Sequence, residues 1–163
     1  MFVAVFPPEA VVLDLRRRLA GAKRLTAVER WHVTVWFLGE VPPDGLVEVE
    51  RALDAVPRRG KVSLHLAGGG QFRNGRSTVL WTGLRGDLDA LAELHDAVAV
   101  ALGAAPVPLI PHLTVAYADS DGVREALDDY VGPEWTVDEF VLVRSHHATG
   151  GGYERLRSWP LSG

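Results

Sequence analysis

Strand-like and helix-like stretches alternate along this chain. Residues 2–6 form an unbroken apolar run stopped by Pro7 and Pro8, which reads as a first strand. Over residues 8–22, Val11, Val12, Leu15 and Leu19 recur at helical spacing, and Pro8 suits a first helical turn. A β-branched and aromatic run at 32–38 ends at Gly39 and predicts a strand. Pro42, Pro43 and Asp44 open a helix whose Leu46, Val49, Leu53 and Val56 make one apolar stripe before Pro57. Residues 62–66 alternate and 78–84 are apolar, so two more strands are predicted, with turns at Gly68, Gly69 and Gly70 and at Asn74 and Gly75. The clearest helix covers 87–102, with Gly103 at its end. A proline-broken loop at 106–111 leads to a strand at 112–117, a short helix at 122–130, and closing strands at 137–143 and 153–159. This alternation predicts an α+β arrangement of helices on a sheet. No stretch has the composition of an interdomain linker, so residues 1–163 are expected to form a single domain.

The 163 residues are 47% hydrophobic and 23% charged, the balance of an ordinary globular chain that buries one core. The opening apolar run is too short for a signal segment, and no stretch approaches the ~18 apolar residues of a membrane span. A soluble, cytoplasmic protein with no membrane association is therefore expected. Cysteine is absent, which excludes disulfides, thiolate nucleophiles and cysteine-ligated zinc. The net charge of -4, from 17 basic and 21 acidic residues, argues against a surface devoted to long duplex nucleic acid. It leaves room for a short or end-recognised nucleic acid. Basic clusters at Arg16, Arg17 and Arg18 with Lys23 and Arg24, at Arg58 and Arg59 with Lys61, and at Arg73 with Arg76 read as solvated helix ends and loops.

One internal echo changes the picture. Trp31-His32-Val33-Thr34-Val35 and Pro111-His112-Leu113-Thr114-Val115 share the pattern x-His-apolar-Thr-Val, offset by 112 − 32 = 80 residues. About half the chain separates them, which suggests two similar lobes facing each other across a pseudo-twofold axis. On a strand, a histidine and the threonine two residues later project to one face, about 6.5–7 Å apart, while the apolar residues face the other way. If the strands are neighbours, two imidazoles and two hydroxyls converge. An imidazole pair can supply one general base and one general acid near neutral pH, and threonine hydroxyls can donate to phosphate oxygens. Substitution at phosphorus uses that division of labour. Two histidines without a third ligand make a poor zinc site, so neither a metal nor another cofactor is expected.

The stretches 31–41, 72–83, 110–116 and 141–161 together resemble the two-histidine (2H) phosphoesterase superfamily, and within it the RNA 2′,3′-cyclic phosphodiesterases formerly called 2′-5′ RNA ligases. The resemblance covers essentially the whole chain. It implies a bilobal α+β fold, two pseudo-twofold-related lobes of antiparallel sheet with helices on the outer faces, and a central groove. It implies hydrolysis of a 2′,3′-cyclic phosphate on RNA ends or small nucleotides to a 2′-phosphate, with no obligate protein partner. By motif position, His32 is the proton donor, His112 the proton acceptor, and Thr34 and Thr114 the phosphate-binding residues. The family commonly shows arginine where this chain has Tyr117. Tyr117 itself, or Arg76 in the turn before residues 78–84, is then a candidate substrate contact.

Three other readings stay open: hydrolysis of a different cyclic phosphodiester, 2′-5′ RNA ligation in the same site, and a nucleotide- or RNA-binding module without catalysis. His95 falls on the apolar stripe of its helix and reads as packed. His65 reads as exposed, and at most one of His146 and His147 can face the site. Trp36, Phe72 and Trp81 could stack a base, but large aromatics in short strands are core by default. The triple glycine lacks the Gly-Lys-Ser/Thr of a nucleotide-binding loop.

Overall fold

The computed structural model describes residues 1–58, 60–117, 122–146 and 151–162. Eight strands, β1 (Phe2–Val5), β2 (Val33–Phe37), β3 (Val62–Asn74), β4 (Ser77–Gly86), β5 (His112–Tyr117), β6 (Trp135–Val137), β7 (Glu139–Ser145) and β8 (Tyr153–Pro160), make one sheet. Its order is β6-β3-β4-β5-β2-β1-β7-β8, and every pair is antiparallel. Four strands therefore lie on each side of the β5–β2 junction. The helices are α1 (Glu9–Arg18), α2 (Leu46–Asp54), α3 (Leu88–Ala101) and α4 (Val123–Leu127). α3 packs against β2 and β3, and α4 against β3 and β4, so the expected α+β architecture with helices backing antiparallel sheet is present. No helix among the described residues is long and apolar enough to cross a membrane.

The sheet is curled. β6 pairs with β3 near one margin and β7 pairs with β1 near the other, yet only Asp138 separates them in sequence. One residue bridges little more than the ~3.8 Å between consecutive Cα atoms, so the two margins must come together. The sequence reading merged these segments into one strand at 137–143 and missed β6, because nothing in composition marks a change of strand at a single aspartate.

The core is layered on either side of the sheet. Val3, Val5, Val33, Leu113, Leu15, Leu91 and Trp159 belong to a main core. A smaller cluster of Phe2, Ala4, Val141 and Val143 occupies the opposite face. β1 is therefore buried on both faces, which explains why residues 2–5 show no alternation.

The glycine run at 68–70 also differs from expectation: β3 passes straight through it, and the chain turns only at Gly75 and Arg76. Each glycine there meets a different demand. Gly68 bulges out of register with β4 at φ +64, with its carbonyl accepting the Thr82 hydroxyl at 2.7 Å. Gly69 lies against Leu127. A side chain on Gly70 would run into the Trp81 indole.

Candidate active site

The two His-x-Thr segments meet at the sheet's midpoint. Val33 pairs with Leu113, and both are fully buried under the helices. In that antiparallel register His32 stands opposite Thr114, and Thr34 opposite His112. Both histidines and both threonines wall one groove of about 460 Å³. An apolar pair thus pins the crossing from behind while four polar side chains emerge in front.

The repeat extends to a backbone irregularity. β1 pairs Val3 with Trp36 and then Ala4 with Thr34, skipping Val35. β4 pairs Leu80 with Ala116 and then Trp81 with Thr114, skipping Val115. Each strand bulges at the valine after its threonine, which shifts facing by one residue. Phe37 and Tyr117 therefore face the groove, while Trp36 turns back to pack against His95, 5.2 Å between ring centroids. The carbonyls displaced by the bulges are satisfied separately. The His95 ring lies between the Val35 carbonyl, 2.6 Å from Nδ1, and the Val107 carbonyl, 2.9 Å from Nε2. The Val115 carbonyl accepts the Thr26 amide at 2.8 Å and its hydroxyl at 3.2 Å. His95 is buried at 4% exposure, the packed residue its helical position predicts.

Both catalytic candidates are oriented alike. Nδ1 of His32 lies 2.7 Å from the Arg30 carbonyl, and Nδ1 of His112 lies 2.8 Å from the Ile110 carbonyl. A carbonyl can only accept, so Nδ1 carries a proton in each ring and Nε2 is the nitrogen left for chemistry. Nε2 of His32 also lies 2.9 Å from the Thr34 hydroxyl.

Their surroundings differ. The His32 ring stacks on Phe2 at 4.7 Å, with Tyr153 edge-on at 5.4 Å and Phe6 at 5.9 Å. Burial there pushes its pKa below the usual histidine value. The Arg30 carbonyl, which favours the charged ring, opposes this, and the nearby His112 charge adds to the lowering. His112 instead meets Phe72 edge-on at 4.9 Å and Trp81 at 5.8 Å. Gly70 and Gly83 leave the room that the Trp81 indole fills beside it. Two of the aromatics considered for base stacking thus support an imidazole.

Among the described residues, Arg30 is the one arginine or lysine on the groove wall. Its guanidinium lies 5.6 Å over the Tyr153 ring, pressed against Gly151, whose φ of +90 and missing side chain leave space for it. Tyr153 has a raised pKa from burial and from Tyr117, partly offset by Arg30, and stays a neutral phenol. The sequence reading missed Arg30, although it sits two residues before His32. Tyr117 lines the groove, whereas Arg76 stands exposed in the β3–β4 turn and is not part of the wall. His65 is half-buried on β3, also outside the wall. His146 pairs with Glu154 at 2.9 Å, and His147 and Arg59 lie outside the described residues.

The profile of the 2′-5′ RNA ligase superfamily matches residues 6–149. An RNA 2′,3′-cyclic phosphodiesterase of Geobacillus stearothermophilus is 31% identical over 147 residues, 83% of this chain and 46% of that protein. The chain thus spans less than half the length of that relative. E. coli LigT complexed with ATP superposes with a TM-score of 0.79 at 25% identity, covering 99% of this chain and 97% of that one. LigT complexed with 3′-AMP gives 0.77 at 26% identity, with coverages of 99% and 97%. Sequence profile, whole-chain superposition and the meeting of the paired His-x-Thr strands agree: the chain belongs to the 2′-5′ RNA ligase superfamily of two-histidine phosphoesterases.

Proposed function

We propose that this chain hydrolyses the 2′,3′-cyclic phosphate of RNA ends and small nucleotides to a 2′-phosphate, using His32 as proton donor and His112 as proton acceptor. The observation that carries the reading is the β2–β5 register, which turns both imidazoles and both threonines to one groove. With phosphorus over the crossing, His112 Nε2 removes a proton from water as the new P–O bond forms. The bond to the 3′ oxygen breaks, and His32 gives that oxygen its proton. Thr34 and Thr114 donate to the nonbridging oxygens, where charge builds up. Solvent exchange then restores a neutral His112 and a charged His32.

Burial by the protein's own side chains works against the charged form of His32. A phosphate anion seated on the threonines favours that form, so substrate charge recruits the donor's proton. Arg30 adds positive charge at the same end of the groove, the role the family's usual arginine would fill at Tyr117. Among the described residues the groove wall holds no carboxylate, and the two imidazoles account for both proton transfers without a metal ion.

The test is incubation with a nucleoside 2′,3′-cyclic phosphate and with a short RNA ending in one, in chelator, read by phosphorus NMR. The expected product is the 2′-phosphate alone. No product from either substrate overturns the reading. A 3′-phosphate product overturns the assignment of His32 as donor to the 3′ oxygen.

A further inference from the structure

Phe37 and Tyr117 are matched by the 80-residue offset, three positions beyond Thr34 and Thr114. The bulges at Val35 and Val115 turn both into the groove. Unlike the aromatics that hold the imidazoles, they are left open, Phe37 at 68% and Tyr117 at 58% exposure. Among the described residues neither packs against another ring. Two large exposed rings on the wall of a groove of about 460 Å³ mark a surface that a ligand can cover.

Their order along the groove is fixed by the antiparallel crossing. Starting beyond Arg30, it runs Tyr117, then His32 with Thr114, then Thr34 with His112, then Phe37. Each ring is three register steps from the Val33–Leu113 pair, since the bulge takes up one of the four intervening residues, roughly 10 Å along its strand. Two rings on opposite sides of the crossing cannot serve a single base. In the reaction proposed above, the ribose whose 3′ oxygen is protonated lies toward His32, and its base toward Tyr117. The attacking oxygen arrives from the His112 side, toward Phe37.

We propose that Phe37 and Tyr117 are base-stacking platforms on opposite sides of the reacting phosphate. Tyr117 takes the base of the 2′-nucleotide, and Phe37 takes the base of a second nucleoside joined through the other ester oxygen. The inference rests on the proposed function for its orientation. It extends that reading by giving the groove a place for a nucleoside where hydrolysis needs only water. Base–aromatic stacking is sequence-tolerant, so the platforms select for the presence of a base and not for its identity.

Calorimetric binding to the intact protein tests this with three phosphodiesters of equal charge, each lacking the 3′-hydroxyl so that none can cyclise. They are the base-free 1,4-anhydro-3-deoxyribitol 2-(methyl phosphate), 3′-deoxyadenosine 2′-(methyl phosphate), and the same nucleotide joined 2′-5′ to adenosine. Each added base is expected to tighten binding about tenfold. Tyr117→Ala should erase the first step, Phe37→Ala the second, while Tyr117→Phe and Phe37→Trp retain both. A wild-type protein that binds all three equally overturns the proposal. So do alanine variants that erase the same step or neither. Failure of the hydrolysis assay would remove the proposed function but leave this affinity ladder to stand or fall by itself.

Discussion

The two halves of the site use one backbone plan and two different supports. In each, a histidine Nδ1 donates to the carbonyl two residues upstream, an apolar residue enters the core, a threonine follows, and the next valine bulges. The His32 half rests on the Phe2, Ala4, Val141 and Val143 cluster, which desolvates its ring. The His112 half rests on Phe72 and Trp81, seated over glycines. Geometry makes the two imidazoles equivalent, and the packing beneath them makes them different. A near-symmetric fold can thus give two matched histidines unlike surroundings, which is what the asymmetric proton transfer proposed above requires.

The largest test of equivalence is removal of each imidazole. His32→Ala and His112→Ala should each lower kcat by about a thousandfold, and the double variant should be little worse than either, since the pair acts as a unit. Retained activity in one variant would reduce the site to a single essential histidine. Next come the hydroxyls: Thr34→Val and Thr114→Val should each cost about a hundredfold in kcat, read by steady-state kinetics on a cyclic nucleotide. Equal losses place the phosphate on the pseudo-twofold axis, and a tenfold gap displaces it toward one half.

The difference between the halves is sharpened by pH. In the proposed reaction His32 must be charged to act as donor, and burial lowers its pKa in the free protein. The alkaline fall of kcat/KM, which reports the free enzyme, should therefore lie below the ordinary histidine value of about 6.5. With phosphate bound, the same limb in kcat should move upward. An alkaline limb at the same pH in both profiles would show that substrate charge does not raise the donor's pKa. The smallest expected effect is on one half's support. Gly70→Ala should destabilise the fold by about 1–3 kcal/mol through overpacking against Trp81, measured by denaturant melt. A wild-type melt would show that the indole has room to move.

The parts of this arrangement that depend on periodicity were legible in the sequence. Alternation placed His32 with Thr34 and His112 with Thr114, and helical spacing placed His95 in the core. The parts that depend on breaks in periodicity were not. Counting by twos from Thr34 leads to Trp36, and only the bulge at Val35 exchanges it for Phe37. No residue type announces that bulge, because a valine serves as well in a regular strand. Arg30 shares its parity with His32 and could have been found. The passage of β3 through Gly68, Gly69 and Gly70 could not, since the need for glycine comes from Leu127 and Trp81, remote in sequence.

Asp138 has a consequence for how the molecule is made. Phe2 pairs with Val143, 143 − 2 = 141 positions later, so β1 must wait for β7 to be made before its second edge is covered. Pairings this distant are slow to form and leave intermediates exposed. The hydrophobic segment under His32 therefore completes its burial only once β7 has been made, and a chain truncated before β7 would leave that histidine's floor open to water.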